Sequence, residues 1–218
     1  MSKIIVLMGA PGAGKGTQAR LLQERHGLPQ ISTGDMFRAL AQEETPLARE
    51  VREVQASGKL ISDDLVIRVV KQRTGKDDCR NGYILDGFPR TTVQAAMLEK
   101  LADEQGHKIL AILVDVPLDQ LEKRATGRRS CPVCGEIYNI YFKPPQNDNV
   151  CDLHPDTQLI HRTDDTPDKI RVRLNTYEQQ TRPMLDYYQA SNRLHRVDGT
   201  RDVNEIYADI ERIVMNDE

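Results

Sequence analysis

The sequence predicts an α/β protein, with a parallel sheet covered by helices on both faces. Three observations predict it. Apolar runs at 3–8, 83–86 and 109–115 have the length and composition of buried strands. Segments with apolar residues three and four apart alternate with those runs, the order that builds parallel sheets. A glycine-rich stretch, GAPGAGKGTQAR at 9–20, joins the first strand to the first helical segment. Ligands of such sheets bind beyond the carboxyl ends of the strands.

Taken in order, KIIVLM is the first strand, and helical spacing follows at 18–26. A weaker strand reads at 28–31. Helical spacing resumes at 47–57 and 64–74, ahead of the strand at 83–86. The segment 92–103 is helical, 109–115 is strand and 118–125 is helical. From 127 to 165 periodicity dissolves into CPVCGEIYNIYFKPPQNDNVCDLHPD. A loop of that length without structure is unusual in a compact domain, so this stretch reads as a small module with its own support. The late helix carries Ile170, Leu174, Tyr177, Thr181, Met184 and Tyr188 on one stripe. Thr166 is its expected N-cap, Pro167 its first helical residue, and Pro183 is expected to bend it. A last weak strand reads at 194–197.

The glycine stretch separates two chemistries. A dinucleotide fingerprint requires G-x-G-x-x-G and an acid that ends the second strand. Glycines at 9, 12, 14 and 16 fit no such register, and Asp35 opens a helix instead. Gly9, Gly14 and Lys15 do satisfy G-x-x-x-x-G-K, a loop whose amides point at phosphate oxygens. The helix that follows adds the positive end of its dipole, and Lys15 reaches the outer phosphates. One departure stands out: Gly16 occupies the position where a Ser or Thr usually reaches Mg²⁺, and Thr17 follows one place later. Coordination of Mg²⁺ through water is therefore expected. YILDGFPR supports the phosphate reading, because its strand ends in Asp86, placed to hold the metal's waters.

Composition narrows the remaining classes. The chain has 218 residues, 29% of them charged, and no Trp, as expected of a soluble globular protein of one domain with or without insertions. A net charge of −3 gives no general attraction to nucleic acid or anionic membranes, so an anionic ligand must be met by local arginines. KIIVLM is shorter than a signal-peptide core, and no apolar stretch approaches a membrane span. A cytoplasmic location is expected, where disulfides are rare and clustered cysteines point to metal.

Several motifs in register resemble those of adenylate kinases. GAPGAGKGTQ, STGDMFR (32–38), GKLISDDLV (58–66), LDGFPRT (85–91), GRR (127–129), HRTDD (161–165) and IRVRL (170–174) occur in that family's order and spacing. They cover essentially the whole chain, which resembles the long bacterial form. The resemblance implies a P-loop NTPase-like core of five parallel strands (1–31, 62–126 and 165–218). Two inserts interrupt it, an AMP-binding segment (32–61) and a lid over ATP (127–164). It implies ATP contacts from Gly12, Ala13, Gly14, Lys15, Gly16, Thr17, Arg124, Arg128, Ile137, Tyr138 and Arg201, the last through its backbone. AMP contacts would come from Thr33, Arg38, Lys59, Leu60, Ile61, Gly87, Phe88, Pro89, Arg90, Gln94, Arg162 and Arg173. The implied reaction converts ATP and AMP into two ADP, performed by a monomer.

That chemistry matches the residues at hand. The attacking AMP phosphate is already anionic at neutral pH, so no general base is needed. What the transfer needs is positive charge in a dry site, from Lys15, Arg38, Arg90, Arg128, Arg162 and Arg173. Asp164 and Asp165 are read as orienting Arg162 or as a solvated pair. Closure of the lid before transfer protects ATP from water. Other nucleotides remain open at this stage: UMP or CMP as acceptor, or GTP as donor.

Cys131, Cys134, Cys151 and His154 occur as CPVC and CDLH, the knuckle spacing of a tetrahedral zinc site. Four protein ligands leave no open position, so the zinc would be structural. Lids of the family usually carry Cys or Asp as the fourth ligand; His154 stands here, with Asp152 and Asp156 as substitutes. Cys79 stands alone. A zinc-ribbon nucleic-acid binder is the reading from another class, and it lacks a basic stripe with interleaved aromatics.

Overall fold

The computed structural model describes residues 2–57 and 60–216. The chain runs through β1 (Lys3–Met8), α1 (Lys15–His26), β2 (Gln30–Ser32), α2 (Thr33–Leu40), α3 (Pro46–Ser57) and α4 (Asp63–Thr74). It continues through β3 (Gly82–Asp86), α5 (Thr92–Gln105), β4 (Lys108–Asp115) and α6 (Leu118–Thr126). Four short strands follow, β5 (Arg128–Ser130), β6 (Ile137–Asn139), β7 (Val150–Cys151) and β8 (His154–Gln158). The chain then forms α7 (Pro167–Thr176), α8 (Met184–Ala190), β9 (Leu194–Asp198) and α9 (Val203–Asn216).

The main sheet has the order β2-β3-β1-β4-β9, with every neighbouring pair parallel. Alternation along β1 explains why its whole run is apolar. Ile4, Val6 and Met8 pack on one face with Phe37, Val51, Val70, Leu98 and Tyr188. Ile5 and Leu7 pack on the other with Leu22, Leu121 and Ile210. A strand covered on both faces has no polar side to display. Among the described residues no helix is long and apolar enough to cross a membrane.

Some boundaries differ from the sequence reading, for local reasons. Helix α1 starts at Lys15 rather than at residue 18, because the left-handed Gly14 (φ 99°) turns the chain directly into it. Strand β2 covers 30–32 rather than 28–31, with the Pro29 carbonyl accepting the Ile84 N–H at 2.9 Å ahead of it. Helix α9 is an addition, and α2, which Asp35 was expected to open, begins at Thr33. Ser32 caps α2 by accepting the Asp35 N–H at 3.2 Å. The late helix is interrupted before Pro183 by a widened turn at Tyr177–Thr181, in which the Arg182 N–H reaches the Tyr177 carbonyl at 2.8 Å. A proline cannot donate to the preceding turn and its ring displaces the carbonyl there, which the wider turn accommodates. Thr166 does occupy the N-cap of α7, but its side chain makes no capping hydrogen bond.

The aperiodic stretch does have its own support. β5 and β6 form one antiparallel pair and β7 and β8 another, joined by a bridge between Ser130 and Ile160. Cys131, Tyr138, Cys151 and Leu159 form a separate small core beneath them.

Candidate active site

The loop after β1 is shaped by close approaches. A Cβ on Gly12, at φ 90°, would lie 2.8 Å from the Leu121 carbonyl oxygen, so only glycine lets the loop rest on α6. A Cβ on Gly16 would lie 3.3 Å from Asp86 Oδ2, leaving little room beside that carboxylate for the larger residue usual there. Lys15 Nζ donates to the carbonyls of Gly9 (2.8 Å) and Ala10 (3.1 Å), curling back over the loop. Burial lowers its pKa from 10.5 to about 8; Asp86 opposes this, while Arg90, Arg173 and Arg128 reinforce it. Asp86 ends β3 beside Leu7 of β1, at the carboxyl edge of the sheet.

Two chambers open from this edge. The larger, of about 1090 Å³, is lined by the loop, Thr17, Asp86, Arg124, Arg128, Ile137, Arg162 and Arg201. The smaller is lined by Thr33, Phe37, Gln55, Leu60, Ile61, Val66 and Gln94. Gly34, Arg38, Gly87, Arg90 and Arg173 line both, so three guanidinium groups stand at the junction. Arg90 is aimed by its Nε–H, which donates to the Gly87 carbonyl at 2.7 Å, and its backbone N–H donates to Gln94 Oε1 at 2.8 Å. Burial first, then the charge of Arg173, brings Arg90 down to about 10. Burial, then Arg128 and Arg38, does the same for Arg162, also to about 10. This crowding of cations awaits anions.

Carboxylates hold the arginines in place. Asp165 is fully buried and accepts two bonds from Arg128 (Nε 2.8 Å, Nη2 2.6 Å) and one from Arg173 (3.1 Å). Burial pulls Arg128 down, but the bonds and charge of Asp165 outweigh it and leave it raised. Asp164 lies 3.0 Å from Arg173 and 3.8 Å from Arg38, while Asp35 pairs with Arg38 at 2.5 Å and Arg162 at 3.6 Å. The acidic pair is therefore neither solvated nor set on Arg162. Asp165 serves Arg128 and Arg173, and Asp35 serves Arg162. The three-residue spacing of Asp35 and Arg38 on a helix was the available signal for their pairing.

The remaining expected residues fall in several places. Thr33 donates to the Gly87 carbonyl at 2.9 Å, and Gln94 donates to Asp63 at 2.7 Å while lining the smaller chamber. Phe88 and Pro89 are buried, Phe88 in the core cluster, and neither lines that chamber: the ring was needed for packing. Lys59 lies outside the described residues. Tyr138 borders the larger chamber, yet its hydroxyl points into the small core, 3.6 Å from Cys151 Sγ. Arg124 donates to the Gly199 carbonyl at 2.8 Å. The side chain of Arg201 turns to Asp209 and Asp198, and the residue lines the larger chamber.

In the small module, the ligand atoms of Cys131, Cys134, Cys151 and His154 all lie within 4.8 Å of one another. Cys134 Sγ and His154 Nδ1 each lie 3.8 Å from Cys151 Sγ. A tetrahedron with metal–sulfur bonds of about 2.3 Å has edges of about 3.8 Å, so two of the donor pairs stand at that spacing and the cluster is compatible with a bound zinc. Burial raises the Cys151 thiol, but hydrogen bonds from Tyr138 and His154 prevail and bring it down to about 6. Cys151 is thereby biased to the thiolate form a metal requires, whereas burial raises Cys134.

Comparisons with known proteins agree with this geometry. The family described as "Adenylate kinase" matches residues 7–193. The adenylate kinase of Clostridium perfringens strain SM101 is 46% identical over 214 residues, covering 98% of this chain and 99% of that protein. That of Oceanobacillus iheyensis is 46% identical over 211 residues, covering 96% and 98% respectively. The Bacillus subtilis adenylate kinase is 45% identical over the same length, covering 96% and 97%.

Proposed function

Because the chain belongs to the adenylate kinase family, we propose a division of labour for the reaction it catalyses, the reversible transfer of a phosphoryl group from ATP to AMP to give two ADP. One observation carries the assignment: two chambers share a wall made of Arg38, Arg90 and Arg173. A donor and an acceptor seated on either side would bring their phosphates together at that wall.

In this reading ATP occupies the larger chamber. Its phosphates rest on the amides of Gly12 to Thr17 and on Lys15, with Arg124, Ile137, Tyr138 and the backbone of Arg201 around the rest of the nucleotide. AMP occupies the smaller chamber, its base between Leu60, Ile61 and Gln94 and near Thr33, its phosphate toward Arg38 and Arg90. Gly87 lines that pocket, Phe88 and Pro89 back it from the core side, and Lys59 belongs to it by family likeness. Arg90, Arg128, Arg162 and Arg173 gather around the transferring group, where a planar fork of donors matches pairs of phosphate oxygens. The acceptor oxygen is already ionised, so these residues supply positive charge and alignment and no base is required. Mg²⁺ bound with ATP would neutralise phosphate charge, and Asp86, a hard oxygen donor beside the loop, would hold it through water.

Segments 32–61 and 127–164 act as the AMP-binding insert and the lid, which together exclude water around the reacting phosphates. The protein works as a cytoplasmic monomer in adenine nucleotide homeostasis. Zinc in the lid, held by Cys131, Cys134, Cys151 and His154, ties the two knuckles together and takes no part in transfer. Elemental analysis is expected to give about one zinc per chain. Stripping it should lower the melting temperature while leaving appreciable activity in the cold. His154→Asp should retain zinc and Cys134→Ser should largely lose it. Loss of activity from a fully folded, zinc-free protein would overturn the structural role.

The decisive assay couples ADP formation to a spectroscopic readout across AMP, UMP and CMP as acceptors and ATP and GTP as donors. AMP with ATP is expected to be fastest by a wide margin. Faster transfer to UMP or CMP would overturn the acceptor assignment, and faster transfer from GTP the donor assignment.

A further inference from the structure

An ion chain at the mouth of the larger chamber ties the zinc-bearing module to the phosphate-loop helix. Arg20 lies on α1, five residues beyond Lys15, and its Nη1 is 2.9 Å from Glu136 Oε2. The other oxygen of Glu136 pairs with Lys143 at 2.5 Å, and Arg20 Nε donates to Glu24 at 2.8 Å. The two central side chains are only 25% and 21% exposed, so solvent screens this pair less than an ordinary surface pair. Burial opposes the charge on Arg20, yet Glu24, Glu136 and Cys134 together leave its pKa raised.

Glu136 is placed to transmit that contact. It immediately precedes β6, and its carbonyl accepts the Cys131 N–H at 2.9 Å, closing the first knuckle. β6 pairs with β5 in the register Ser130 to Ile137 and Arg128 to Asn139. Fixing Glu136 against α1 thus fixes the strand pair that carries Arg128 over the loop.

We infer that Arg20 and Glu136 are positioning residues for the transfer, an ion pair that favours the closed lid and so sets Arg128 before ATP has been bound. The inference rests on the reading of 127–164 as a lid. Without the pair, closure would have to be driven by ATP itself, so the loss should fall on ATP binding and not on the chemical step.

The test places two dyes through non-canonical amino acids, leaving the zinc cysteines untouched, at exposed Asp148 in the lid and exposed Asp119 in the core. Energy transfer is read with and without ATP and Mg²⁺ in the wild type, Arg20→Gln, Glu136→Gln and the double variant. Zinc content is checked in each, and Arg20→Gln removes the pair without touching the knuckle. Each single variant should lower the closed population in the absence of nucleotide and raise the KM for ATP about two- to fivefold, with kcat not reduced. The double variant should be no worse than either single one, because both remove the same contact. Wild-type transfer that ignores nucleotide would overturn the lid reading itself. A wild type that closes on ATP, with variants that match it in both closed population and KM, would overturn the ion pair alone. So would a fall in kcat accompanied by a lower melting temperature, which marks a purely structural role.

Discussion

Replacing Lys15 with methionine is expected to abolish phosphoryl transfer, while the free protein becomes at least as stable at neutral pH. Methionine keeps the length of the side chain and removes the charge. Removing one preorganised donor from a transferring group costs about a hundred- to a thousandfold in turnover, and Lys15 is the residue proposed to meet the outer phosphates. The stability effect has the opposite sign for a stated reason. Burial lowers the ammonium to about 8, so below that pH the fold holds a cation that the unfolded chain would solvate better. Nucleotide phosphates restore the proton's advantage. Above about pH 8 the free enzyme has begun to lose that proton, and binding must take it back. Nucleotide affinity should therefore fall as pH rises through 8, with proton uptake on binding near pH 9 and little from this group at pH 7. Calorimetry in buffers of different ionisation enthalpy measures the uptake, which Lys15→Met should remove. A variant with near-normal kinetics would end the phosphate-loop assignment.

The sequence reading succeeded where structure is local. β1, β3 and β4 are apolar runs because both faces of the sheet are covered, and the loop after β1 shows its spacing in glycines and a lysine. α9 was missed although Ile206, Ile210 and Val214 recur at four-residue intervals among charged neighbours. α2 was anticipated only through Asp35 as a helix start; Met36, Phe37 and Leu40 do pack on the core, but eight residues are too short a window for their period to stand out. The strands of the small module, two to five residues long, carry no period to detect; buried cysteines and Tyr138 hold them in place of alternating side chains. The convergence of Cys131, Cys134, Cys151 and His154 was still legible, because knuckle spacing is local too. What distant contacts decide was not legible. Phe88 sits in a motif expected to touch ligand, and its side chain packs in the core. Nothing near Glu136 marks Arg20 as its partner. Asp164 and Asp165, an acidic pair beside a helix start, have the local signature of solvated residues.

Asp165→Asn is the change that tests this last point. The carboxylate has no exposure and bridges Arg128 and Arg173, with three bonds between 2.6 and 3.1 Å. Asparagine matches its shape, so packing is preserved and only charge and acceptor capacity are lost. Arg128 would then lose the carboxylate it is bonded to, and Arg173 would keep only Asp164, at 3.0 Å. Breaking a buried pair from one side costs about 3–5 kcal/mol, and the residual exposure of both arginines, 19% and 22%, puts the expectation near the lower figure. For a chain of this size that corresponds to a fall of about 6–12 °C in melting temperature. Nucleotide should offset part of the loss, because phosphate oxygens offer the two arginines the anion that the variant lacks. The gap between variant and wild type should therefore narrow when ADP and Mg²⁺ are saturating. Turnover should fall as well, since Arg128 loses the bidentate contact that aims it. Thermal unfolding with and without nucleotide measures both effects. A variant as stable as the wild type in the absence of nucleotide would show that Asp165 does not hold the arginine cluster together. A gap that nucleotide leaves unchanged would show that the cluster is not where phosphate binds.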